Sequence, residues 1–220
     1  ADSAQTLTIN LNNYQAVGGA EFLRITDAGG TTNTLETLSL VTASLASSIN
    51  DLQTTGVGTT TLNVSGDQDL TITTALDTEI VTVAAGSFTG ALSATLGTTA
   101  AFTVTTGSGA DAITASSTSA DSITLGAGND SITVASANFD STDTIAGGAG
   151  TDSIIISDAA THIDADFTNV TAVETFNYGN NATTLTLGAL ATAAGVNTIT
   201  DCTANATVTL GAGHTNDTSI

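Results

Sequence analysis

The chain of 220 residues has no proline, no methionine, no tryptophan and a single cysteine, Cys202. A lone cysteine closes no internal disulfide, and Cys202, within Thr200-Asp201-Cys202-Thr203, reads as a small apolar residue buried between two strands. Basic residues are nearly missing too: Arg24 stands alone against 21 acids, for a net charge of −20. Such a charge repels phosphate backbones and anionic lipid, which excludes nucleic acid as a partner. No stretch has the ~20 uninterrupted apolar residues of a membrane span, so no membrane insertion is expected. Ala1-Asp2-Ser3 has no signal-peptide character.

The same scarcity argues against an enzyme. Without lysine, and with only His162 and His214, the usual general bases and nucleophile activators are almost gone. The zinc-protease motif H-E-x-x-H, G-x-S-x-G, a P-loop lysine and a dinucleotide-binding G-x-G-x-x-G are all absent. Asp is plentiful enough to supply a carboxylate pair for glycoside hydrolysis. Yet aromatics make up only 4% of the chain, a thin platform for sugar. His162-Ile163-Asp164-Ala165-Asp166, read as a strand, puts a histidine and two acids on one face, either to ligate a cation or to meet solvent.

What the chain does contain is Thr, Ser, Ala and Gly with alternating β-branched residues, at a mean hydropathy of +0.26. That alternation argues for folded strands over disorder. Thr6–Leu11 and the segment 20–27, closed by the turn Asp27-Ala28-Gly29-Gly30, read as strands. Leu35, Leu38, Val41, Leu45, Ile49 and Leu52 recur at intervals of three and four, which predicts a helix over 42–53 after a strand at 37–41. From Gly56 the pattern is β throughout, with short strands at 61–64, 70–73, 79–83, 91–96 and 101–105. Strands at 184–187, 198–200 and 207–210 continue it. Residues 1–55 therefore read as an α/β cap and 56–220 as a mainly β body.

The most informative stretch is 106–158, where an acidic glycine-rich phrase recurs. Its copies carry Gly107, Gly109 and Asp111; Ser119 and Asp121; Gly126, Gly128, Asn129 and Asp130; Asp140 and Asp143; and Gly147, Gly148, Gly150 and Asp152. Each is a turn followed by a short strand, with Ile two residues after the Asp pointing inward. Glycines allow positive φ and aim carbonyl oxygens at one point, while the Asp adds a carboxylate. Those are hard oxygen ligands suited to Ca²⁺, and about two or three cations are expected. With two phrases per coil, Asp111 would face Asp130, making a site shared by two coils. Leu210-Gly211-Ala212-Gly213-His214-Thr215-Asn216-Asp217 repeats the phrase with two residues inserted, as another turn for a weaker cation.

The phrases resemble the RTX nonapeptide G-G-x-G-x-D-x-U-x of calcium-binding β-rolls. Together with Asn63-Val64-Ser65-Gly66-Asp67-Gln68-Asp69-Leu70-Thr71-Ile72 and Val173-Glu174-Thr175-Phe176-Asn177, the chain over 56–220 is similar to RTX-type surface-layer proteins of Gram-negative bacteria, including the Caulobacter kind. The resemblance implies a right-handed parallel β-solenoid or β-roll, type I secretion, calcium-driven folding outside the cell, and assembly with copies of itself into a lattice or filament. The alternative is a module of a secreted RTX adhesin that binds glycans, such as cell-surface polysaccharide. Because the chain stops within a repeat phrase at Asn216–Ile220, it is expected to be part of a longer exported protein.

Overall fold

In a computed structural model of the protein, residues 5–15, 22–26, 35–54, 56–98, 100–115, 120–159, 161–178, 184–200 and 206–216 are described. The turn 27–30, Ser119, Cys202 and the final residues 217–220 lie outside them. The chain winds as a parallel β-solenoid. One eight-stranded sheet runs, in spatial order, through Thr6–Leu11, Thr37–Thr42, Thr61–Gly66, Thr82–Ala84, Thr103–Thr105, Ser122–Thr124, Thr144–Ala146 and Val170–Thr171. A second contains Ser47–Ile49, Leu70–Ala75, Leu92–Thr95, Ala112–Ala115, Ser131–Val134, Ser153–Ile156, Thr175–Asn177 and Thr198–Thr200. Smaller parallel pairings join Phe22–Arg24 to Asp51–Gln53, and Thr161–His162 to Thr184–Leu187 and Thr207–Leu210.

The alternation of the sequence sets this register. In the first sheet Leu38, Leu62, Val83, Val104, Ile123, Ile145 and Val170 stack as direct partners. In the second the column is Ile49, Ile72, Ala94, Ile113, Ile132, Ile154, Phe176 and Ile199. Every member of both columns is buried, and they share one core. A slip of one residue would turn a whole column to solvent, so the pattern fixes the pairing. Near the last coils the core becomes aromatic: Phe139, Phe167, Phe176 and Tyr178 meet at centroid distances of 5.1–5.6 Å around the buried His162.

No charged residue lies in any strand of the two long sheets. The repeat aspartates Asp111, Asp121, Asp130, Asp143 and Asp152 stand at the corners, just before those strands.

Two expectations are corrected. Residues 42–53 form no helix: they turn a corner at Ser44, whose φ is 69°, and continue as Ser47–Ile49 and Asp51–Gln53. Leu38, Ile49 and Leu52 are buried as on a helix face, but Leu45 is 54% exposed. Two alternating strands joined by a corner imitate the helical spacing. The α-helix among the described residues is instead Ala189–Ala194, ended by Gly195 at φ 108°. The second correction concerns 162–166, where the strand stops at His162 and Asp164–Phe167 is a turn of 3₁₀ helix. His162 Nδ1 lies 3.2 Å from Asp166 Oδ2, while Asp164 accepts hydrogen bonds from Gly188, Leu190 and Ala191.

The corners need glycine where coils stack closely. Gly150 has φ 140°, and a Cβ there would stand 1.6 Å from the carbonyl oxygen of Gly128 on the coil before. Gly56 also has positive φ, at 83°, but a Cβ there would meet nothing within 4 Å. Gly56→Ala is therefore expected to cost only the left-handed backbone penalty, about 1–2 kcal/mol. Gly150→Ala, which must also push two coils apart, should lower the urea midpoint clearly further. Equal midpoints for the two variants would contradict the close stacking.

Candidate functional site

The Asp residues of the repeats stand just before the strands they introduce. Asp111, Asp130 and Asp152 precede strands of the second sheet, and Asp121 and Asp143 precede strands of the first. Because alternate phrases stack, they form two columns. In one, the backbone N–H of Leu92 donates to Asp111 Oδ1 at 2.7 Å, that of Asp111 to Asp130 Oδ1 at 2.7 Å, and that of Asp130 to Asp152 Oδ1 at 2.8 Å. The N–H of Asp152 donates to Glu174 Oε2 at 2.8 Å, closing the series. In the other column, the N–H of Phe102 donates to Asp121 Oδ1 at 2.8 Å and that of Asp121 to Asp143 Oδ1 at 3.0 Å. Each carboxylate thus holds the coil before its own, and Asp111 and Asp130 are joined as the spacing requires.

The glycines fill the turns around the first column. Gly107 and Gly109 lead to Asp111, Gly126 and Gly128 to Asp130, and Gly147, Gly148 and Gly150 to Asp152. The turns pair directly: the N–H of Ala127 donates to Gly107 O, that of Ala149 to Gly126 O, and that of Gly128 to Ala149 O, all at 2.8 Å. Asn129 Oδ1 accepts from the Thr151 N–H at 3.0 Å. Asp140 lies at an exposed corner, where it accepts from the N–H and hydroxyl of Thr142 and donates its own N–H to Asp143 Oδ2. Asp140 therefore belongs to the turn that positions Asp143.

The buried carboxylates are only half satisfied. Asp111, Asp130 and Asp152 are 1–2% exposed, and the Oδ2 of each is buried without a hydrogen-bond partner among the described residues. Burial raises the pKa of all five column aspartates. Asp130 rises to about 6, against the N–H of Asp111 and helped by the charges of Asp111 and Asp152. Asp121 also rises to about 6, against the N–H of Phe102 and helped by Asp143. Exposed Asp140 moves the other way, held down by the Thr142 hydroxyl and N–H.

Such a column asks for positive charge. A proton on Oδ2 supplies it, and so does a hard cation. A cation held between two coils would need an oxygen from each. No group of three His, Cys, Asp or Glu converges among the described residues, so the turn carbonyls would supply the rest of its shell.

Sequence reasoning missed Glu174. It follows Asp152 by 22 residues, the interval that separates Asp130 from Asp152, and that step could have found it. Compared with protein families, curated proteins and solved structures, the chain matches none.

A carboxyl whose pKa is higher folded than unfolded binds protons on folding. The penalty from these aspartates is absent below their ordinary 3.8 and grows as pH rises through about 6. Buried His162, whose pKa burial lowers, works oppositely and loses stability as pH falls below 6.5. Metal-free protein should therefore gain stability from pH 7.5 to 5 through its aspartates, with His162 offsetting part. Asp130→Asn keeps an acceptor for the Asp111 N–H but cannot ionise, so it should flatten that slope in urea melts. An unchanged slope would contradict the buried charge.

Proposed function

We propose that this chain is a calcium-stabilised structural module that works outside the cell by associating with copies of itself. The observation that carries the proposal is the column of three successive buried carboxylates whose Oδ2 atoms have no hydrogen-bond partner among the described residues. Wherever the carboxyls of such a column are ionised, a divalent cation offsets their charge. A cation that binds only the folded chain stabilises it by about 2.7 kcal/mol at a hundredfold excess over Kd. Free calcium is abundant outside cells, which fits a secreted, RTX-like surface-layer or filament component more than an enzyme.

Self-association has its own support. At −20, two copies repel each other wherever acids face acids. The strands of both long sheets carry no charge, so their outer faces are where copies can approach without like charges in contact. Thr6–Leu11 is also an edge of the first sheet, with Leu7 39% exposed. An uncovered edge offers backbone N–H and C=O groups to another strand.

Millimolar calcium should raise the melting temperature and EDTA should lower it. Asp130→Ala should remove most of that gain, while Asp67→Ala, at an exposed site outside the columns, should keep it. Equal responses of the two variants would overturn the assignment.

In sedimentation velocity, calcium-loaded protein should form larger species as concentration rises. Leu7→Glu should suppress them. A monomer at every concentration with saturating calcium would refute the assembly and favour an adhesin module.

A further inference from the structure

Along the outer face of the first sheet, the parallel register stacks Thr6, Thr37, Thr61, Thr82, Thr103, Ser122 and Thr144 as direct partners, a hydroxyl on every one of these successive coils. The column two residues on is less uniform, with Ser39, Asn63, Ala84 and Ala146 among its threonines. Thr103, Thr105, Ser122, Thr124 and Thr144 are all exposed. No described strand of this sheet contains a charged or an aromatic residue. In the second sheet, by contrast, the register shifts between Ile72 and Ala75, and Ala112 interrupts the matching column.

Strand propensity alone does not ask for this array. Valine, isoleucine and tyrosine suit a solvent-facing strand position as well as threonine does, yet the first column holds hydroxyls only. Threonine is also stiff at χ1, so its methyl and hydroxyl groups need little ordering before they meet a surface. Stacked strands set the hydroxyls of one column ~4.8 Å apart, and residues two apart along a strand stand ~6.6 Å from each other. The oxygens of hexagonal ice repeat along its a and c axes at close to these two distances.

The array selects its partner by repetition and by charge. A dissolved small molecule spans one or two rungs and leaves the others unused, whereas a ligand that engages them all must itself repeat at the pitch of the coils. An ionic lattice finds no opposite charge on this face. A crystalline polysaccharide finds no aromatic ring to stack on. A solid also strips mobile water from whatever it touches, which is costly for a charged group and mild for a hydroxyl that regains its hydrogen bond from the solid. Water ice is neutral, periodic, and both donates and accepts. We propose that the outer face of the first sheet binds ice, holding surface water of the crystal on its threonine columns. One chain carries the whole array, so the binding requires no assembly, and edge pairing at Thr6–Leu11 would lengthen the array without covering it.

Single ice crystals would be grown in calcium-loaded protein in a nanolitre osmometer, and the same solution frozen slowly on a cold finger. The crystals should become faceted and stop growing over an interval below their melting point, and the protein should enter the ice. Thr103→Leu and, separately, Thr124→Leu place a bulkier side chain without a hydroxyl on the exposed face, and each should lose most of that interval while keeping the parent's melting temperature. Thr71→Leu, the equivalent change on an exposed position of the second sheet, should keep it. The proposal falls if the protein stays in the unfrozen liquid, if both first-sheet variants act as the parent does, or if Thr71→Leu loses as much as they do. Protein that is left in the liquid but retained on microcrystalline cellulose would make the face a reader of a polysaccharide lattice, and would overturn the proposal too. None of these outcomes bears on calcium dependence or self-association, which are read from melting and sedimentation.

Discussion

Through the repeats, successive coils are tied together by carboxylates at strand starts, each accepting a backbone N–H from the coil before its own. The arrangement answers a problem that every parallel solenoid has at its corners, where the sheet ladder stops and amide groups turn inward. A buried N–H without an acceptor costs about 1–3 kcal/mol. Asp111, Asp121, Asp130, Asp143, Asp152 and Glu174 each remove one such cost. The same device recurs outside the repeats, where Glu79 accepts from Gly56 and Gly58 and Asp77 from Thr54.

That solution creates the next constraint. Unit charges ~4.8 Å apart repel by about 3 kcal/mol at an effective dielectric near 20. A hydrogen bond to a charged group returns about 1.5–3 kcal/mol. The two are of the same order, so a fully ionised column roughly breaks even, and whatever neutralises it decides whether the corners hold. Hydrophobic stacking is continuous along both columns and does not depend on pH or ions. Sensitivity to solution conditions is therefore concentrated in the aspartates and in His162 within its aromatic shell.

The parts of this fold that were legible in the sequence are those with a short period. Ile113, Ile132 and Ile154 each follow their Asp by two residues, and that constant offset gave the strand, its inward face and the stacking of alternate phrases. Leu38 to Leu52 misled because a corner resets the alternation, so buried residues fell three and four apart. Ala189–Ala194 went unread because six residues are too few to show a helical period. At the site, the identity of the aspartates was readable, but their hydrogen-bonding role was not. It depends on an amide 19 or 22 residues away, and backbone groups leave no mark in the residue letters.

The step from Asp111 to Asp130 is 19 residues and that from Asp130 to Asp152 is 22. The longer coil includes the excursion at Ser136–Asn138, with Phe139 set into the core behind it. The corner bonds specify where a coil begins and are indifferent to how far the chain wanders before the next one. Coil length is thus a free variable of this architecture, and its corners behave as sockets. A peptide of foreign sequence grafted at Ser136–Asn138 would be displayed on the edge of the solenoid. A chain of this kind can lengthen by copying whole coils, each addition bringing its own acceptor for the amide it covers.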